Sequence, residues 1–456
     1  MVVRGGLRWW VLVLGACGTL HGAGAVLAAS AKSPPTAVPE ARDVDTRLFL
    51  IGDAGVPLSK DPVLASLESE VTADSRHAVV VFLGDNIYPR GLPPKENVGR
   101  KEAERRIDAQ VGAVRAEGAT AIFIPGNHDW DRMSPGGWDA IRRQGEYLRE
   151  KGGPSVSLEP EDGCPGPVVR DFNTTVRLVL LDTEWWLQPP PKPGPGSSCS
   201  THTSSEVVDA LAAALRDAGN RRVVVIGHHP LATGGEHGGH FSWEDHIFPL
   251  RATKSWLWIP LPGIGSAYPL SRMHGASAQD MSGALNRKMR EALSGVMQRQ
   301  TPLVYAAGHD HNLQVIDGKN VARYLLVSGA GAFGHVSATA WTRETLYAGA
   351  LSGYMRVDFE KGGRARLAVV ALHGERKARE VAAFDLSAEA AGQKPGVPHG
   401  VVAKPPEKLR QEAPQQTPGI PESQPAPTRP PDHQAPEEKD KQNPPPAIEW
   451  EEKKAR

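Results

Sequence analysis

Cysteine is scarce in this chain, with three residues in 456, and neither Cys164 nor Cys199 has the C-x-x-C spacing that a thiolate metal site would need. Excess charge of either sign is missing as well: lysine plus arginine total 52, and so do aspartate plus glutamate. No global basic field therefore points to nucleic acid or to an anionic membrane surface, and no nucleic-acid partner is expected. A long apolar run is also lacking. The run near the N-terminus, "WWVLVLGACGTL", is broken by glycine and histidine before it reaches the ~18 residues of a permanent membrane span.

What is present is length for one large domain or two ordinary ones, with glycine (48) and proline (40) in excess. Arg4 and Arg8 precede the apolar run and small residues follow in "GAVLAASA", the layout of a secretory signal over residues 1–29. Two processing routes stand open. Cleavage near Ala29 to Ala31 would release the chain, whereas "LGAC" resembles a bacterial lipoprotein box that would lipidate Cys17 and attach the chain to a membrane. Export to the periplasm, the medium or the outer membrane is expected either way. In such oxidising surroundings Cys164 and Cys199 are the cysteines left to form a disulfide.

Residues 30–46 read as a linker, 47–390 as a folded domain and 391–456 as a tail. The tail holds fifteen prolines among Gln, Glu and Lys, too little apolar content to offset chain entropy, so it is expected to be disordered. Within the domain, continuous apolar runs such as "RLFLIGD", "AVVVFLGD", "AIFIPGN", "VRLVLLDT", "RRVVVIGHH", "LVYAAGH" and "ARYLLVSGAG" predict strands covered on both faces. Between them, "RKEAERRIDAQVGAVRAEG" and "SSEVVDALAAALRDAG" predict helices, the second with a serine cap and a stop at Gly219. The class is α/β.

Five of the strands run out in one manner: "GDAG" at Asp53, "GDNIY" at Asp85 and Tyr88, "GNHD" at Asn127 and His128, "GHHP" at His228, and "GHDH" at His309 and His311. Loops beyond strand C-termini form the ligand crevice of α/β sheets, so these turns should converge. Gathered together they supply carboxylates, a phenol, an amide oxygen and imidazoles, and burying such a set without cations is costly. Oxygen donors mixed with imidazole suit iron, zinc or manganese, and one shared carboxylate suits two ions.

The ordered set of these five motifs resembles the metallophosphoesterases. Many of them carry D-x-H at the first turn, where this chain has Gly55, whereas the purple acid phosphatases place a tyrosine three residues after the second aspartate, as Tyr88 stands here. "GHDHNLQ", the following "SGAG" and "GGEHG" around His237 narrow the similarity to the mammalian-like, tartrate-resistant type. The resemblance implies a calcineurin-like four-layer sandwich of two mixed β-sheets flanked by helices. It also implies two ions: Fe(III) held by Asp53, Tyr88 and His311, and a divalent Fe, Zn or Mn held by Asn127, His228 and His309, with Asp85 bridging. His128 and His237 would act on the phosphate and the leaving group. The activity implied is hydrolysis of phosphomonoesters by in-line attack of a hydroxide held on the metals, in a monomer. A phosphodiesterase on the same centre, or a metal-binding protein without turnover, are the alternatives.

Around these ligands, His229 reads as a neighbour rather than a ligand, Asp182 as a loop-ordering group, and Asp129 as either an acceptor for His128 or the start of a turn. Residues 238–300 form an insertion rich in tryptophan and proline where the similar family is shorter. A self-packed excursion, a lid and a partner surface all remain open for it.

Overall fold

The computed structural model of the protein describes residues 40–252, 257–373 and 377–387. The expected signal over 1–29, with Cys17, and the tail over 391–456 lie outside the described residues. In chain order the elements are β1 (Val44–Ile51), α1 (Pro62–Ala73), β2 (Ala78–Phe82), α2 (Arg100–Gly112), β3 (Thr120–Phe123), α3 (Gly137–Gly152), β4 (Val156–Leu158), β5 (Val168–Phe172), β6 (Val176–Leu180), α4 (Glu184–Leu187) and α5 (Ser204–Arg216). There follow β7 (Arg222–Ile226), α6 (Trp243–Ile247), α7 (Ala267–Met273), α8 (Ala284–Met297), β8 (Val304–Ala307), β9 (Leu313–Asp317), β10 (Tyr324–Ser328), β11 (Thr345–Gly349), β12 (Gly353–Glu360), β13 (Ala365–His373) and β14 (Lys377–Asp385).

The strands form two seven-stranded mixed sheets, ordered β14-β13-β12-β1-β2-β3-β4 and β11-β9-β10-β8-β7-β6-β5. Alternation along each strand explains why they read as continuous apolar runs. In β1, Leu48 and Leu50 face the seam between the sheets, where they meet Leu178, Leu180, Val224 and Val304 of the second sheet. Phe49 and Ile51 face the other way, against Val63 and Leu67 of α1 and Ile107 of α2. The second sheet repeats the pattern, with Val179 and Val225 packed on Leu211 of α5 and Leu293 of α8. Helix, sheet, sheet and helix make four layers, the architecture that the family resemblance implies. Truncating a seam residue such as Leu50 to alanine should cost about 2–5 kcal/mol.

Parallel register sets the height of the site. Ile51 pairs with Phe82 and Phe82 with Phe123, so β1, β2 and β3 end level; Ile226 pairs with Ala306, so β8 runs one residue past β7. The two rims are joined where Gly52 N–H donates to Ser328 O at 2.7 Å and Ser328 Oγ donates to Leu50 O at 2.7 Å.

Some expected boundaries shift. β1 begins at Val44, inside the segment read as linker, because Thr46 is buried and β12 pairs along it. The second helix stops at Gly112 rather than continuing toward Gly118. The cap of α5 is Thr203, whose side chain accepts Glu206 N–H at 3.2 Å from an extended backbone, and the serines lie inside the first turn. Within the stretch read as an insertion, α8 packs its Met289, Leu293, Val296 and Met297 into the core of the outer helical layer. Cys164 and Cys199 are disulfide-bonded, with Cα atoms 5.5 Å apart.

Candidate metal centre

Each of the five strand ends gives way to a turn, and at three of them a site residue holds an unusual backbone conformation. Asp53, Asp85 and His309 have φ of 57°, 54° and 70°, the left-handed region that Asp and His enter more readily than most residues. The glycines between them are needed for approach. A Cβ on Gly126 would stand 2.3 Å from Asp85 Oδ1, and one on Gly308 would stand 2.5 Å from Asp53 Oδ2.

The turns bring Asp53, Asp85, Tyr88, Asn127, His228, His309 and His311 into one cluster, and all but Tyr88 and His311 are buried. Its first half gathers around the Tyr88 hydroxyl, which lies 2.9 Å from Asp53 Oδ1, 3.1 Å from Asp85 Oδ2 and 3.0 Å from His311 Nε2. One phenolic proton cannot serve both carboxylates. Burial of the phenol and the Asp53 and Asp85 carboxylates raise its pKa well above the ordinary tyrosine value, so only a cation among these atoms would free the phenolate. For Asp85, burial pushes the carboxyl up, but the His228 and His128 imidazoles and the His128 N–H outweigh it and hold it at about 2.

The second half gathers around Asn127 Oδ1. His228 Nδ1 is 2.8 Å from Leu83 O and His309 Nε2 is 3.1 Å from Gln279 O. Main-chain carbonyls only accept, so these nitrogens carry the protons, and the lone pairs are on His228 Nε2 and His309 Nδ1. Those two nitrogens lie 3.1 Å apart, and each lies 3.0 Å from Asn127 Oδ1. With both rings neutral, three acceptors face one another without a proton between them, a donor set that could hold a cation. Asp85 joins the halves: Oδ2 faces Tyr88, while Oδ1 accepts His128 N–H at 2.8 Å and lies 3.5 Å from His228 Nε2. The ligand atoms of Asp53, Asp85 and His228 all fall within 4.8 Å of one another.

The remaining expected groups lie around this cluster. His128 gives Nδ1–H to Pro89 O at 2.7 Å, and its Nε2 is 3.9 Å from Asp85 Oδ2; burial lowers its pKa, against the pull of Asp85. His237 stacks on His309 with ring centres 3.8 Å apart. His229 has both nitrogens engaged, Nδ1 with Thr183 Oγ1 and Nε2 with Gln279 Oε1, each at 2.8 Å, although a ring nitrogen of it also lies within 4.8 Å of those of His228 and His309. Asp182 accepts Trp130 Nε1–H at 2.8 Å and Trp185 N–H at 3.1 Å, ordering its loop.

Asp129 lies in a turn, as one of the two readings had it, and it is not the acceptor for His128. Its carboxylate accepts from the backbone and side chain of Asn86, from Ile87 N–H and from Gly126 N–H, tying two site loops together and leaving His128 to Pro89. Two groups escaped the sequence reading. The His335 ring lies 4.0 Å from that of His311 and 4.9 Å from that of Tyr88, and Glu184 is fully buried beside His229. His335 follows Gly334 but stands seven residues beyond the end of β10, and Glu184 follows Thr183, so neither carries the strand-end signal that exposed the others.

No protein-family model matches the chain, and no curated protein matches it. Solved structures do resemble it. One is GAP50, the anchor in the inner membrane complex of Plasmodium, 15% identical over 75% of this chain and 88% of that one, with a TM-score of 0.46. A second is purple acid phosphatase PPD1 from yellow lupin (Lupinus luteus) seeds, 14% identical over 75% of this chain and 53% of that one, with a TM-score of 0.43. A third is Vps29 complexed with zinc from Entamoeba histolytica, 9% identical over 75% of this chain and 99% of that one, with a TM-score of 0.26.

Proposed function

We propose that the chain is an exported dinuclear-metal phosphatase that hydrolyses phosphomonoesters. The observation that carries the reading is the set of unprotonated acceptors, His228 Nε2, His309 Nδ1 and Asn127 Oδ1, linked through Asp85 to a second donor set. Asp53, Tyr88 and His311 would hold a ferric ion, and Asn127, His228 and His309 a divalent iron, zinc or manganese, with Asp85 shared. Bound there, the ions would supply Lewis acidity toward a phosphoryl group and a water acidic enough to attack it near neutral pH.

The protein's own groups do the rest. Asp129 keeps the Asp85 and Asn127 turns in register through its four N–H bonds. His128, with Nδ1–H committed to Pro89, offers Nε2 as the nitrogen that can carry a proton at the cluster's edge, and His237 flanks the other side over His309. Either could donate to a phosphate oxygen or to a departing alkoxide. The Cys164–Cys199 bond supports export to an oxidising compartment, and the balanced charge supports a small ester over a polynucleotide.

Tyr88 tests the reading. A phenolate on ferric iron gives an intense visible charge-transfer band, so iron-loaded protein should be coloured and hydrolyse monoesters faster than diesters. Tyr88→Phe should lose the band and keep the fold, the two rings having nearly equal volume. Colourless iron-loaded protein would remove the ferric assignment, and two bound ions without turnover would make the chain a metal-binding protein.

A further inference from the structure

The excursion between Gly238 and Gly283 reaches back into the cluster through a short strip of chain. Asp280 is buried; its Oδ1 lies 2.9 Å from His237 Nδ1, and its Oδ2 accepts Arg272 Nε–H at 3.0 Å. Arg272 is fixed in turn by the rings of Phe241 and Tyr268, 5.5 and 5.8 Å from its guanidinium carbon. Met281 N–H donates to His237 O at 2.9 Å. Gln279, one residue before Asp280, accepts His309 Nε2–H on its main-chain oxygen. Its side chain accepts His229 Nε2–H and donates to Glu184 at 2.9 Å. Three consecutive residues therefore hold three histidines: His229 and His309 on Gln279, and His237 between Asp280 and Met281.

We propose that Asp280 is a positioning residue for His237, and that the excursion completes the site rather than ornamenting its rim. The inference rests on the phosphatase reading for what His237 touches. A half-buried imidazole left alone rotates and divides itself between two tautomers. A carboxylate on Nδ1 selects the Nδ1–H form and one ring orientation, leaving Nε2, which no described residue takes, as the nitrogen that meets a ligand. The Arg272 Nη2 group 3.1 Å from the same Nδ1 offers the opposite arrangement, in which the ring would accept and carry its proton on Nε2. The buried carboxylate, nearer to Nδ1 and the only acceptor there among the described residues, decides for the first.

The full chain with both ions bound, and the same chain stripped of metal, test this together. Asp280→Asn should lower kcat/KM for a phosphomonoester by roughly 10–100-fold while two ions stay bound. In a His237→Ala background the same change should cost nothing further, because Asp280 acts only through that ring. In metal-free protein, nitrogen-15 spectra should show His237 protonated on Nδ1, and the variant should shift the ring toward Nε2–H. An equal loss in the His237→Ala background, or a wild-type His237 protonated on Nε2, overturns the proposal. A wild type inert to every phosphate ester would instead defeat the phosphatase reading, and the nitrogen spectra would still decide the hold of Asp280 on His237.

Discussion

The two halves of the cluster are built from opposite chemistry. Around Tyr88 Oη stand two carboxylate oxygens and one ring nitrogen, whereas around Asn127 Oδ1 stand two ring nitrogens. The first half carries two carboxyl groups and a phenolic proton that can relieve part of its crowding. The second carries neither; its three acceptors have no donor among them. On the proposed reading, the oxygen-rich half would favour a highly charged ion and the half with imidazole and amide a divalent one, with Asp85 shared between them.

The sharpest way to break this comparison is to remove the group that both halves share. Asp85→Ala should abolish turnover and take metal content from two ions to one or none, measured by elemental analysis of purified protein. Retention of two ions would show that the halves do not depend on a shared carboxylate. A smaller and more selective effect is expected for His309→Ala, which touches only the nitrogen-rich half. Content should fall from two ions to one, hydrolysis should be lost, and the visible band of the iron-loaded protein should persist. Loss of the band along with the divalent ion would mean that the two halves form one inseparable site.

The smallest effect concerns the frame that carries both halves. Burial pushes the Asp182 carboxyl up to about 7, against the restraint of the N–H bonds from Trp130 and Trp185. Unfolded, the same group releases its proton near 3.8, so between these values the folded state holds the extra proton. The stability this group contributes is complete below the lower value and is lost as pH rises through the upper one. Asp182→Asn should flatten that decline, with melting temperatures at pH 4.5 and 7.5 closer together than in the wild type and metal content unchanged. A wild-type difference that persists undiminished in the variant would assign the decline to other groups.

The donors were legible because their signal is local. A glycine followed by Asp, Asn or His at the end of a run such as "AVVVFLGD" marks a turn and a ligand within four residues. The strands behind them were legible because helices or a second sheet cover both faces, which leaves unbroken apolar runs. Where that failed, the composition pointed elsewhere. β13 and β14, "ARLAVVALH" and "KAREVAAFD", are rich in alanine and charged helix formers, and β4 is only three residues long. The residues that hold the site were not legible at all. Asp280 stands 43 residues from His237, and Gln279 stands 30 from His309, on a stretch with no periodic pattern. Only the fold brings them together.

Asp53, Asp85 and His309 sit with left-handed backbone, a conformation that glycine or asparagine would adopt more readily. At these three positions the pull of stability and the pull of chemistry run in different directions. A lineage that kept this architecture after abandoning the reaction would feel only the first. Its substitutions should therefore gather at these turns before they reach the seam or the helices. The turns thus serve as an evolutionary gauge, and glycine or asparagine at all three would mark a descendant that has kept the scaffold and given up its ions.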